Sequence, residues 1–168
     1  MKIDRIWAMP NKWTFKIKPI KQLLKEEISG LCIDPFCGEN SPAQIKNDLN
    51  PDNMYAQTHL DALDFLKSLP DNYADVVILD PPYSSRQISE HYKSVGVKIT
   101  GWGKVLKDES ARVLKINGKV ICFGWNSMGL GKNRGFEMTR LLLVPHGGSK
   151  NDTIVTVEIK RLNQEVLT

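Results

Sequence analysis

Two periodicities divide the chain. Apolar residues recur at helical spacing at Ile20, Leu23, Leu24 and Ile28, again at Leu63, Phe65, Leu66 and Leu69, and again at Val105, Leu106, Ala111, Val113 and Leu114. Each set forms one apolar stripe and predicts a helix packed by that face on a core. Between them run short apolar stretches rich in β-branched residues: Leu31-Cys32-Ile33, Ala74-Asp75-Val76-Val77-Ile78-Leu79 and Lys119-Val120-Ile121-Cys122-Phe123-Gly124. Such runs read as strands buried on both faces, as in a parallel sheet flanked by helices.

Local signals set the ends of these elements. Pro19 fits the first turn of the first helix and Gly30 its stop. Asp61 is placed to cap the second helix. The third is expected over 102–114, closing at Asn117-Gly118. Residues 41–51 are too few for a full helix and a full strand, so a reduced connection leads to a short strand at 44–47. Residues 55–60 read as a further strand. Residues 137–144 and 153–159 read as an antiparallel hairpin at the sheet edge. Residues 6–15 are aromatic and irregular, and 84–103 and 125–135 are glycine-containing loops, the former a candidate lid.

These elements predict one α/β domain over 1–168 with a Rossmann-like, mostly parallel sheet and a C-terminal antiparallel hairpin. A length of 168 residues suits one core and leaves no room for a separate target-recognition domain. The hydrophobic content of 41% and charged content of 25% are those of a soluble globular protein. No apolar run reaches membrane-spanning length and the polar start is no secretion signal, so a cytoplasmic protein with no membrane association is expected. Cys32, Cys37 and Cys122 are odd in number and lack a metal-ligand spacing, which favours packed, reduced thiols and no metal site. The net charge of +4 permits a polyanionic partner without requiring one. Residues 125–135 lack the Gly-Lys-Ser/Thr ending of a phosphate loop, which argues against nucleotide triphosphate hydrolysis.

The candidate chemistry sits where the central apolar run stops, at Asp80-Pro81-Pro82-Tyr83. Neither proline can donate to a sheet ladder, so the strand ends there. In open α/β sheets ligands bind at the carboxyl ends of strands. An acid, a fixed carbonyl and an aromatic ring together suit a flat ring bearing an exocyclic amine. Tyr83 would stack on its face while the Asp80 carboxylate and the Pro81 carbonyl accept its two N–H hydrogens. Adenine and cytosine present such an amine.

Asp80-Pro81-Pro82-Tyr83 resembles the catalytic motif of amino-group nucleic-acid methyltransferases, in the form usual among adenine-N6 DNA enzymes. Leu31-Cys32-Ile33-Asp34-Pro35-Phe36-Cys37-Gly38 resembles that family's motif for S-adenosylmethionine (SAM). The whole resembles a small adenine-specific DNA methyltransferase of phage or prophage type. The resemblance implies SAM as cofactor, DNA as partner and methyl transfer to the N6 amine of adenine, with Asp80, Pro81, Pro82 and Tyr83 as the catalytic set. For the cofactor it implies contacts from Thr14, Phe15 or Lys16 to the methionine end. It further implies the Asp34-Pro35-Phe36 turn with Gly38 around the amino group, Asp48 on the ribose, and Asp61 with the backbone at Ala62 on the adenine. Asn40 stands where the family pattern has a second glycine. Plainer roles stay open for several of these: Asp61 as a helix cap, Phe15 as core cover, Asp48 in an ordinary turn. An RNA or other exocyclic-amine methyltransferase, and a catalytically silent subunit of a partner enzyme, are the alternatives. Without a recognition domain, target choice falls to the 84–103 and 129–135 loops, a second copy or a partner.

Overall fold

The run 74–79 is the middle of the sheet. In a computed structural model, which describes residues 1–82, 103–148 and 150–162, it forms a strand whose side chains alternate between two buried layers. Val76 and Ile78 enter one layer, Val77 and Leu79 the other. This is the period-two burial of a parallel strand covered on both faces.

In chain order the elements are β1 (Lys2–Arg5), a 3-10 turn (Thr14–Lys16), α1 (Lys18–Glu27), β2 (Cys32–Asp34), β3 (Ile45–Lys46), α2 (Ala62–Ser68) and β4 (Ala74–Leu79). They continue with α3 (Lys104–Val113), β5 (Leu114–Gly124), a second 3-10 turn (Lys132–Arg134), β6 (Phe136–Val144) and β7 (Thr153–Lys160). The seven strands of the described residues form one sheet in the order β1-β6-β7-β5-β4-β2-β3. The β2–β3, β2–β4, β4–β5 and β1–β6 pairs are parallel, and β7 runs antiparallel to β5 and β6. The expected α/β class, with a mostly parallel sheet and an antiparallel hairpin, is the observed one. Ile20, Leu23 and Leu24 of α1 cover one face with Phe15, whose ring lies 5.2 Å from that of Phe123. Phe65 and Leu66 of α2 and Leu106 and Val113 of α3 cover the other. No helix of the described residues is long and apolar enough to cross a membrane.

Several local expectations need correction. The hairpin is not at the edge, because β1 pairs along β6 and takes that place. The cause lies far away in sequence. Arg140 on β6 is only 8% exposed and donates to Asp4 on β1 (3.1 Å), Glu26 (2.6 Å) and Glu27 (3.2 Å) on α1. A guanidinium so buried needs such carboxylates around it. Residues 55–60 form no strand beyond a single bridge of Thr58 to Asn47. Tyr55 and Leu60 are exposed, so this segment has no apolar face to bury. The third helix closes at Val113, and Leu114 begins β5, which the apolar run placed five residues later. Asn117 and Gly118 lie inside β5, at the irregularity where Ala74 faces Leu114 but Val76 faces Lys119. Asn117 has φ 63, and a Cβ on Gly118 would press on the Lys115 carbonyl at 2.8 Å. α1 ends at Glu27, ahead of Gly30. Gly30 has φ 75 and instead turns the chain into β2 against Asp75, whose carboxylate takes the Leu31 N–H at 2.7 Å.

Candidate active site

Three parallel strands end side by side, β3, β2 and β4, and the residues that follow them surround a cleft of about 360 Å³. That volume lies in the range of small-ligand sites. Asp80, Pro81 and Pro82 enter it from β4. Phe36, Gly38, Glu39 and Asn40 enter from the connection after β2, and Asp48, Asn50, Asn53 and Tyr55 from the segment after β3. Lys12, Trp13, Thr14 and Phe15 close it from the N-terminal side, with the Lys12 ammonium 4.8 Å from the centre of the Trp13 ring.

Asp34, the last residue of β2, lies beneath this cleft with no solvent exposure. Its carboxylate accepts from Ser41 Oγ at 2.6 Å and from the Phe36 N–H at 3.0 Å, which folds the connection back over the strand end. Burial pushes its pKa up from 3.8 to about 7, and the neighbouring Asp80 and Asp48 carboxylates push the same way against those two hydrogen bonds. Three acids therefore converge at the strand ends, one of them half-neutralised near pH 7. Cys37 is held at its thiol: burial, with Asp34 and Asp48 adding to it, pushes its pKa up to about 12, so it is no nucleophile at neutral pH.

The turn after β3 is built from side-chain-to-backbone bonds. Asp48 accepts from the Asn50 N–H (2.8 Å) and from Asn53 Nδ2 (2.8 Å), and the same Asn53 amide reaches the Cys37 carbonyl at 2.9 Å. Asn47, fully buried, donates to the Pro35 and Leu60 carbonyls and accepts from Thr58 Oγ1 and the Leu60 N–H. Its side chain thus makes bonds that a full neighbouring strand would have made.

Of the expected site residues, Asp80, Pro81, Pro82, Thr14, Phe15, Phe36, Gly38 and Asp48 share the wall of this one cleft. Tyr83 and residues 84–102 lie outside the described residues. Asp34, Pro35, Lys16, Asp61 and Ala62 do not line it. Asp34 and Pro35 support the loop from below, Lys16 is exposed, Asp61 caps α2 through the Leu63 N–H at 2.9 Å, and Ala62 is in the core. Sequence reasoning passed over Lys12, Asn47, Asn53 and Tyr55. The density of Asn and Asp over 47–53 was the available signal, since these side chains commonly bond nearby backbone.

No family model matches the chain, and no curated protein matches it. Solved structures do. Over 86% of the chain it is similar to TrmN from Thermus thermophilus, at 16% identity and a TM-score of 0.55, and it spans 49% of that protein. It covers 78% of the 1,6-didemethyltoxoflavin-N1-methyltransferase of Burkholderia thailandensis, solved with 1,6-didemethyltoxoflavin and S-adenosylhomocysteine, at 10% identity and a TM-score of 0.59 over 86% of this chain. It covers 97% of a SAM-dependent methyltransferase from Methanosarcina mazei, at 11% identity and a TM-score of 0.57 over 83% of this chain. The chain is thus about half as long as the first of these and close to the length of the last. The shared feature is the fold, a Rossmann-like α/β domain of the kind methyltransferases use.

Proposed function

We propose that this chain transfers the methyl group of SAM to the N6 amine of adenine in DNA. The observation that carries the reading is Asp80-Pro81-Pro82 at the carboxyl end of β4, in one cleft with Asp48 at the end of β3. The fold likeness to methyltransferases supports it from outside the sequence.

The cleft fits SAM by its donor set. SAM is cationic at sulfur and at its amino group, and Asp48 and Glu39 line the walls above the buried Asp34. It also carries acceptors, and the Asn40 Nδ2 amide, buried at the cleft wall, has no hydrogen-bond partner among the described residues. An orphaned buried donor costs stability until an acceptor arrives. Asp48 would take the ribose hydroxyls, and Phe36 and Gly38 would flank the chain between ribose and sulfur. When bound, SAM supplies an electrophilic methyl group on a sulfonium centre.

The chain's own residues then act on the acceptor amine. Adenine N6 is a poor nucleophile because its lone pair is delocalised into the ring. The Asp80 carboxylate and the Pro81 carbonyl accept its two N–H hydrogens and so favour the pyramidal nitrogen, whose lone pair points away from the ring plane. Both prolines fix these acceptors in place, so little reorganisation is needed as charge develops. No strong base is needed before transfer, because a methylated, positively charged amine gives up its proton readily. Tyr83, next in sequence, is the residue proposed to stack on the base once it leaves the duplex.

The test pairs wild type with Asp80→Ala on unmethylated DNA and RNA, with digestion to nucleosides and mass spectrometry. Wild type is expected to yield N6-methyldeoxyadenosine, and Asp80→Ala none while calorimetry shows SAM affinity within a few-fold. Product confined to RNA, or undiminished turnover by the variant, overturns the proposal.

A further inference from the structure

The loop from β5 to β6, residues 125–135, crosses over β7 without an α-helix. It is nevertheless firmly held. Glu158 on β7, 3% exposed, accepts from the Leu130 N–H at 2.6 Å and the Gly131 N–H at 3.2 Å. Lys107 on α3 donates to the Gly129 carbonyl at 2.8 Å, and Arg134 to the Leu130 carbonyl at 3.0 Å. A Cβ on Gly129 would collide with the Glu158 carboxylate, so the loop is pressed flat onto its anchor there. Leu130 is buried in the core.

Ahead of this anchor the chain does the opposite. Trp125 is 48% and Met128 71% exposed, with Asn126 and Ser127 exposed between them and the Met128 N–H bound to Asn126 Oδ1 at 2.9 Å. A rigid base therefore carries a small protruding tip with two large apolar side chains. Register fixes where it stands. β5 runs parallel to β4 with Leu79 facing Cys122, so the chain leaves both strands at the same edge of the sheet, Asp80-Pro81-Pro82 from β4 and Trp125 three residues after Cys122. The segment 125–136 contains Lys132 and Arg134 and no carboxylate; Arg134 is committed to Asp108 at 2.7 Å and to the Leu130 carbonyl, and the exposed Lys132 is the cation placed for a phosphate backbone.

We infer that the tip 125–128 is the surface that holds duplex DNA open beside the cleft. The inference rests on the proposed function, because an adenine must leave the base stack before Asp80 can reach its amine. Extrusion costs unpairing and unstacking, and proteins commonly meet that cost with an apolar side chain inserted at the disrupted step. Met128 supplies the wedge, Trp125 a stacking face, and Asn126 and Ser127 short polar groups for base edges or phosphates. Residues on a rigid anchor lose little conformational entropy when they insert.

The experiment compares wild type, Met128→Ala and Trp125→Ala/Met128→Ala on three substrates of one sequence: a single strand, a duplex, and a duplex with an abasic site opposite the target adenine. The substituted side chains are exposed, and circular dichroism checks that the variants fold. The variants are expected to lose about ten-fold or more in kcat/KM on the duplex, to stay within about two-fold on the single strand, and to recover on the abasic duplex, where the base is already unpaired. Equal losses on all three substrates, or an unchanged duplex rate, overturn the wedge. Wild type that methylates neither DNA form overturns the adenine reading first, a result visible without any variant.

Discussion

Asp34→Asn is expected to stabilise the protein, and to do so more at alkaline than at acid pH. Asp34 is fully buried, and its folded-state pKa is pushed from 3.8 to about 7. A raised carboxylate pKa means the folded protein holds a proton that the unfolded chain has released, so stability falls as pH rises from about 4 to about 7 and is level above. Each tenfold change in that proton equilibrium is worth about 1.4 kcal/mol, so ionising Asp34 in place costs on the order of 4 kcal/mol. Asn keeps an acceptor for the Phe36 N–H and can donate to Ser41 Oγ, yet carries no charge to desolvate. Comparing the two proteins cancels the other titrating groups to first order. Urea unfolding at pH 5 and pH 8 should show the variant's advantage widening by roughly 2–3 kcal/mol. Parallel pH profiles, or a variant less stable at pH 8, would refute the argument that burial makes Asp34 keep its proton up to about pH 7.

Asp48→Asn keeps one acceptor, for the Asn50 N–H, and sets an amide NH2 against Asn53 Nδ2, so SAM affinity measured by calorimetry should weaken by about 1–3 kcal/mol, with unchanged affinity moving the ribose contact elsewhere. Asn47→Ala strips partners from the Pro35 and Leu60 carbonyls and the Leu60 N–H at a buried position. It should cost about 3 kcal/mol in urea unfolding at an unchanged m-value, and a loss under about 1 kcal/mol would count against its role as a surrogate strand.

What was legible in the sequence was what short segments decide for themselves. The run 74–79 is a strand because its apolar positions alternate between two covered faces, and Pro81 and Pro82 end it wherever it packs. The position of Asp48 followed from the length of the chain after Asp34, which admits only a very short strand. What stayed hidden depends on partners distant in sequence. Lys2–Arg5 carries too little pattern to announce a strand, and Arg140, which holds it, lies more than a hundred residues away. Asn47 looks like one more turn residue until Pro35 and Leu60 are brought to either side of it. Asp34 has the right place in its motif, but only the fold reveals that it supports the cleft from beneath and does not line it.

The positions where a regular element is lacking share one device. Beside Asn47 a full strand is replaced by a single bridge, and the Asn47 amide takes over the bonds. At residues 35–44 no helix joins β2 to β3, and Gln44 and Gln57 bind backbone instead, Gln44 Oε1 to the Cys32 N–H at 2.8 Å and Gln57 Nε2 to the Gln44 carbonyl at 2.8 Å. Over β7 no α-helix joins β5 to β6, and the Glu158 carboxylate collects the loop's N–H groups. A loop laid against a core must satisfy its backbone somewhere, and where no helix or strand does so, a polar side chain must. Such loops are held by a few specific bonds rather than by helical propensity or a broad apolar stripe. Their shape is therefore sensitive to single polar substitutions, while the opposite face, packed by α1 on aliphatic and aromatic side chains, is tuned by volume. Two of these polar-stapled loops, 35–44 and 47–60, line the cleft together with residues 12–15 and 80–82, and the third carries the exposed Trp125 and Met128. The side chains that stand in for regular elements after β2 and β3 thus also hold the walls of the candidate site, and polar replacements at Gln44 should weaken SAM binding by calorimetry before they unfold the sheet.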